Sequence, residues 1–237
     1  MGTFLAGSLF AAVNKGDWFW SRFVIMGLAV LFIDMGTTGF NSYYDFVRGT
    51  DTANYNLEKD KVLVHEGVTP GIALFISIVL FAAAGVLGLI LAWKTSWLLL
   101  AVGGVCMAVG YSYTGGPYPI SRTPFGELFA GGFLGTVLFM ISYYSQALTI
   151  SPHVLIASIP FFLLIAMILT VNNTCDRISD KAAGRRTLSI LLSEQITLNV
   201  MQIMMMAAFG LGIIFAMTGL YPIAALPLIS LARLRAI

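Results

Sequence analysis

Four long stretches of this chain carry no Asp, Glu, Lys or Arg, and they constrain its fold more than any other feature. They cover 67–93, 95–121, 128–175 and 195–232. About 20 apolar residues cross the hydrocarbon core of a bilayer as a helix. The last two stretches are each long enough for two crossings, and each holds a turn signal: Ser151-Pro152 in one, Gly219 to Pro222 in the other. The pattern predicts spans near 1–13, 20–45, 70–92, 96–113, 125–147, 152–175, 195–218 and 221–234, the first and last of them short. Only 10% of the residues are charged and 58% are hydrophobic, against about 25% charged in an ordinary soluble domain. The expected fold is therefore an all-α, polytopic membrane bundle of about eight spans, a single transmembrane domain over 1–237 with the lipid bilayer as its solvent. Cys106 and Cys175 lie in or beside apolar runs and suggest neither a disulfide framework nor a zinc site. The N-terminus lacks the basic segment of a cleavable signal peptide. No nucleic-acid partner is expected.

Alternation of the spans puts 46–69, 114–124 and 176–194 on one side with the C-terminus. That side holds Arg48, Lys59, Lys61, Arg122, Arg177, Lys181, Arg185, Arg186, Arg233 and Arg235; the other holds Lys15, Arg22 and Lys94. Cytoplasmic loops of membrane proteins are enriched in Lys and Arg. The basic side is expected to be cytoplasmic, in a multi-pass protein of the cell membrane.

One pattern occurs twice on that side. Asn41-Ser-Tyr-Tyr-Asp45 ends the second predicted span and Asn172-Asn-Thr-Cys-Asp176 ends the sixth. Each is followed by a basic residue and a second aspartate: Arg48 and Asp51, then Arg177 and Asp180. Four spans lie between the copies, which implies a parallel repeat. A spacing of i, i+4 places side chains on one helical face, so Asn41 with Asp45, and Asn172 with Asp176 and Asp180, form two groups of hard oxygen ligands. Mg²⁺ takes such ligands, uses one or two carboxylates per ion, and shares its shell with water and substrate phosphates. Two groups face to face would hold a diphosphate, with Asn41, Asp45, Asp51, Asn172, Asp176 and Asp180 as candidate metal ligands. Ionisation of an allylic diphosphate is the chemistry such a site favours. Arg48, Lys61, Arg177, Lys181, Arg185 or Arg186 would add phosphate contacts, and aromatic faces would shield the cation. Tyr43, Tyr44, Tyr111, Tyr113 and Tyr118 lie at the right depth, Tyr111 and Tyr113 foremost; Tyr143 and Tyr144 lie toward the far end of their span. A single Asn/Asp pair at a helix end is ordinarily a solvated or capping group, and tyrosines at this depth are ordinarily an interface belt. The repetition of one form on one side is what argues for a site.

These two segments resemble the aspartate-rich motifs of the UbiA superfamily of intramembrane aromatic prenyltransferases. The resemblance runs from about 4 to 220 and is strongest to the branch that prenylates 1,4-dihydroxy-2-naphthoate. The N-x3-D-x5-D spacing, Ala-Gly-Arg-Arg-Thr-Leu at 183–188, and Tyr113-Thr-Gly-Gly-Pro-Tyr-Pro119 followed by Gly126-Glu127 carry it. It implies a bundle of mostly nine helices, Mg²⁺, a polyprenyl diphosphate donor and an aromatic acceptor. The acceptor loses its carboxylate as the prenyl group joins, giving demethylmenaquinone. 4-Hydroxybenzoate and homogentisate are the alternative acceptors. Against the family pattern, a basic segment before the first helix is missing and the end is short by about one helix, which implies either a product truncated at both ends or an unusual short form.

Asp34 falls in mid-span, where an ionisable group is costly. With Thr38, Asn41 and Asp45 it forms one stripe, about 16 Å from Asp45 along the helix, and is expected to face the bundle interior. Glu127 opens the fifth span, where it would cap the helix, pair with Arg122 or help deprotonate the acceptor. Gly131 and Gly135 fit a small-xxx-small packing face. Loops 46–69 and 176–194 are expected to close over the site as lids. A secondary transporter is the main rival reading, but transporters tend to place inverted repeats and polar groups near the midplane.

Overall fold

A computed structural model of the chain describes residues 1–52 and 61–222. They form ten helices, with a 3₁₀ turn at Ile120–Arg122. The helices are α1 Gly2–Lys15, α2 Trp20–Val47, α3 Val62–His65, α4 Pro70–Lys94, α5 Trp97–Thr114, α6 Gly126–Ala147, α7 Pro152–Cys175, α8 Arg177–Ala182, α9 Leu188–Leu191 and α10 Glu194–Met217. There is no strand among the described residues. Six helices (α2, α4, α5, α6, α7 and α10) are long and apolar enough to cross a membrane. The first predicted span forms α1, whose 14 residues reach only about 21 Å. Residues 223–234 of the eighth predicted span (221–234), with Lys59, Arg233 and Arg235, lie outside the described residues.

Local chemistry sets the helix boundaries. Pro70 and Pro152 begin α4 and α7, where a missing N–H costs nothing. The Ser96 and Ser193 hydroxyls accept from the amides of Leu98 and Ile196 at the starts of α5 and α10. Gly16 ends α1 at φ 76, and its N–H donates to the Ala12 carbonyl.

Missing side chains let the helices approach closely. α2 packs mainly on α4, α1 on the second half of α6, and α7 on both α6 and α10. A Cβ on Gly36 would lie 2.6 Å from the Phe81 ring, and one on Gly7 2.3 Å from the Phe139 carbonyl oxygen. The expected small-residue face of α6 is present: Cβ atoms on Gly131 and Gly135 would lie 2.8 Å and 2.6 Å from the Phe162 backbone. That face coincides with a stretch of π-helix, Gly131–Val137, within α6.

The outer surface is apolar, with Phe75, Met206 and Ile203 largely exposed, as lipid-facing residues are. Trp20, Trp93 and Trp97 are exposed at one end of α2, α4 and α5, in the manner of an interfacial belt. The polar chemistry lies at the opposite end.

Candidate active site

Three loops converge at that opposite end. Arg48, at the C-terminus of α2, donates to the carbonyls of Thr114, the last residue of α5, and of Gly116 just beyond it. The Arg122 guanidinium donates to the Ala183 carbonyl, and the Arg186 amide donates to the Arg122 carbonyl at 3.0 Å. The described parts of 46–69 (46–52 and 61–69), 114–124 and 176–194 thus share one face, as alternation of the spans predicts. The last of them is stitched down: Arg177 donates to the Leu192 carbonyl at 3.0 Å and Ser189 to the Asn173 carbonyl at 2.7 Å. Of the other expected lid, 53–60 lies outside the described residues.

Arg185 joins the two aspartate motifs. One of its nitrogens donates to Asp45 Oδ1 and another lies 3.0 Å from Asp180 Oδ1. Asp45 belongs to the first motif and Asp180 to the second, 135 residues further on. Asp180 is 1% exposed, and its Oδ2 has no hydrogen-bond partner. Burial raises its carboxyl to about 6, against the opposing pull of Arg185. Burial would lower the Arg185 guanidinium, but Asp45 and then Asp180 outweigh it and hold it above its ordinary value. Asp176 acts electrostatically on both Asp180 and Lys61, which places it in the same cluster.

The remaining expected ligands divide. Asn41 Oδ1 accepts from the Thr114 hydroxyl at 2.6 Å, which orients its amide. Asn172 and Asp176 are exposed. They do not share one continuous helical face with Asp180. α7 ends at Cys175, Asp176 leaves the helix at φ −87 and ψ 6, and the chain restarts as α8 with Asp180 turned inward. Asp51 differs from the expectation of a free ligand. Lys61 Nζ lies 2.9 Å from both its carboxylate oxygens. Burial would lower Lys61, but Asp51, and more weakly Asp45 and Asp176, hold it above its usual value.

Among the expected substrate contacts, Arg48 and Arg177 are spent on backbone carbonyls. Lys181 stands exposed beside Arg177 and Ile178. The Tyr44 and Tyr111 hydroxyls meet at 2.9 Å, with Arg48 over the Tyr44 ring. Tyr113 lies within electrostatic reach of Glu127, Arg185, Asp45 and Asp180. Tyr118 is 90% exposed and takes no part. Tyr143 packs with Phe10 and Phe139 in a separate core. Asp34 and Thr38 are exposed on the face of α2 that carries Asp45 rather than packed in the bundle interior, while Gly36, Gly39 and Phe40 on the other faces pack against α4. Glu127 neither caps α6 nor pairs with Arg122; it accepts from Asn173 Nδ2 at 2.8 Å. Asn172 carries the repeated spacing, but it is the neighbouring Asn173 that meets Glu127. The adjacent pair Asn172-Asn173 was the available signal, since consecutive helical residues face different ways.

Among the described residues no three Asp, Glu, His or Cys side chains converge closely enough to hold a metal alone. The donor set nevertheless suits Mg²⁺, which shares its shell with substrate phosphates. Asp45 and Asp176 both act electrostatically on Asp180, and Asp180 Oδ2 is unpartnered.

The model of the UbiA prenyltransferase family matches residues 1–237. The chain belongs to this family. It is 40% identical over 173 residues to the 1,4-dihydroxy-2-naphthoate octaprenyltransferase of Bacillus subtilis (strain 168), covering 73% of this chain and 55% of that protein. It is 31% identical over 193 residues to the enzyme of the same name from Mycobacterium tuberculosis, covering 81% and 63%. The chain thus spans less than two thirds of either relative. Its fold matches the apo structure of a UbiA homolog from Aeropyrum pernix K1 with a TM-score of 0.72 at 19% identity, covering 94% of this chain and 81% of that one. Membership in the UbiA family and six apolar helices make the chain a multi-pass membrane protein.

Proposed function

We propose that this chain is a single transmembrane domain that transfers a polyprenyl group from its diphosphate to 1,4-dihydroxy-2-naphthoate. The acceptor carboxylate leaves as CO₂ and the hydroquinone form of demethylmenaquinone results. The observation that carries the reading is the meeting of Asp45 and Asp180 across Arg185. It unites two similarly patterned acidic motifs at one membrane face. The names of the two bacterial relatives support the choice of acceptor.

Asn41, Asp45, Asn172, Asp176 and Asp180 would hold Mg²⁺. Bound there, the metal supplies charge neutralisation to the diphosphate as it leaves. Lys61, Lys181 and Arg185 bind the phosphate oxygens, Arg185 by turning from its aspartates. Arg48 and Arg177 brace the loops from behind, and Asp51 positions Lys61. Tyr44, Tyr111 and Tyr113 line the approach and present aromatic faces to the allylic carbon. The prenyl chain lies among the helices. The site faces the cytoplasm, since the basic residues gather at its end.

Membranes containing the protein, given Mg²⁺, labelled polyprenyl diphosphate and 1,4-dihydroxy-2-naphthoate, should yield prenylated, decarboxylated product by mass. Product from 4-hydroxybenzoate or homogentisate instead would reassign the acceptor, and none from any would overturn the reading. For sidedness, cysteines replacing Tyr118 and Ser193 should label from the cytoplasmic face of sealed vesicles, and one replacing Ser96 from the other.

A further inference from the structure

Beside the aspartate cluster lies a second polar site of different character. Glu127 is 3% exposed at the start of α6. Its Oε1 accepts from Asn173 Nδ2 at 2.8 Å, while its Oε2 is buried without a hydrogen-bond partner. Asn173 is itself pinned. Its carbonyl accepts from the Ser189 hydroxyl at 2.7 Å, and that hydroxyl meets Thr187 Oγ1 at 3.0 Å, with both residues buried. The absence of a side chain at Gly126 admits a phenol next to the carboxylate: a Cβ there would lie 3.2 Å from the Tyr113 hydroxyl. Tyr113 also feels Arg185, Asp45 and Asp180, so this site adjoins the one assigned to the diphosphate.

A buried carboxylate oxygen without a donor costs free energy until one arrives. A diphosphate has no donor to give and is repelled. A phenol has one. We propose that Glu127 Oε2 takes a hydroxyl of the aromatic acceptor, the one next to the carbon that is prenylated, and that Asn173 is the positioning residue that aims it. The inference rests on the prenyl-transfer reading and names the group on which its acceptor chemistry depends.

The proton balance explains why a base belongs at the hydroxyl rather than at the ring carbon. As the carboxylated carbon bonds to the allylic carbon, the allylic C–O bond breaks and its pair leaves on the diphosphate. The hydroxyl proton passes to Glu127, and the ring holds a ketone beside a quaternary carbon bearing the carboxylate. This β-keto acid loses CO₂, and the pair of the broken C–C bond passes into the ring as an enolate. Glu127 returns the proton to the enolate oxygen, restoring the aromatic hydroquinone. The protein gains and loses no proton overall.

The test compares 1,4-dihydroxy-2-naphthoate with 4-hydroxy-2-naphthoate, which lacks that hydroxyl. Binding is read by ligand fluorescence to protein loaded with Mg²⁺ and inorganic diphosphate. The wild type should prefer the dihydroxy compound by about 10-fold or more, as a site built to bond a hydroxyl rejects an analogue without it. Glu127→Gln should erase the preference and lower kcat for transfer about 100-fold, the usual scale of general-base catalysis. Glu127→Asp should recover part of it. Asn173→Ala should raise the acceptor KM, leave the donor KM unchanged, and have no further effect in the Glu127→Gln background. Equal binding of both naphthoates by the wild type would overturn the inference even if a variant failed to fold, and so would wild-type transfer by Glu127→Gln. Absence of transfer by the wild type to any acceptor would instead strike the prenyl-transfer reading.

Discussion

The two aspartate motifs have nearly the same sequence pattern and use it differently. In the first, Asn41 and Asp45 lie on the unbroken end of α2, and the second aspartate, Asp51, is held by Lys61. In the second, the helix breaks at Asp176, so that Asn172 and Asp176 stay exposed while Asp180 is buried against Arg185. A repeated pattern therefore specifies where acids emerge from the membrane but not what each one contacts. The nearest cation decides that. Lys61 follows Asp51 by ten residues and closes on its own motif, whereas Arg185 lies close enough to Asp180 in sequence to bind it and reaches Asp45 across the bundle.

Asparagine substitutions test whether the motifs are equal at their first aspartates. Asp45→Asn and Asp176→Asn should each lower prenyl transfer by about 10³-fold, the scale lost when a charge-stabilising group is removed from a reacting centre. EDTA should abolish turnover of the parent. Unequal losses would show that one motif carries the metal and the other only shapes the site. The two cations should differ next. Arg185→Gln leaves the buried Asp180 and the half-buried Asp45 carboxylates without their shared cation and should cost about 3 kcal/mol in metal-free protein, read as a lower unfolding midpoint in detergent. Mg²⁺ with inorganic diphosphate should return part of it. The smallest effect is expected at Lys61, which is 31% exposed in its pair with Asp51. Lys61→Ala should cost less than Arg185→Gln, about 1–2 kcal/mol because Asp51 is left buried without its cation, and mainly weaken donor binding. A larger loss at Lys61 than at Arg185 would reverse the assignment of the structural bridge.

The sequence revealed what depends on short range. Runs without charge mark the spans because burying a charge in lipid is costly, and N-x3-D marks the sites because helical periodicity is fixed. It also led to Gly131 and Gly135 as a contact face. It did not reveal the partner of Arg185, which ranked as one of six candidate phosphate contacts, because bridging Asp45 and Asp180 is a tertiary event. Glu127 illustrates the same limit. Its sequence position suggested a cap or a partner in Arg122, but Arg122 is drawn to the Ala183 carbonyl and the vacancy is filled by Asn173 from α7. The break at Asp176 was likewise hidden, since the spacing of Asn172, Asp176 and Asp180 fits an uninterrupted helix perfectly well.

The π-helical stretch at Gly131–Val137 has a consequence for how α6 tolerates change. A turn closed by i→i+5 bonds holds more residues than an α-turn, so the two ends of α6 are out of phase with a regular helix. Glu127 lies before the stretch and aims at Asn173; Gln146 lies after it and accepts from the Phe19 amide at 3.0 Å. Removing one residue between them would rotate one end against the other by about 100°, so both anchors could not be kept. Within this helix the number of residues is as constrained as their identity, and the packing of the distal membrane face is geared to the bearing of a single carboxylate at the other.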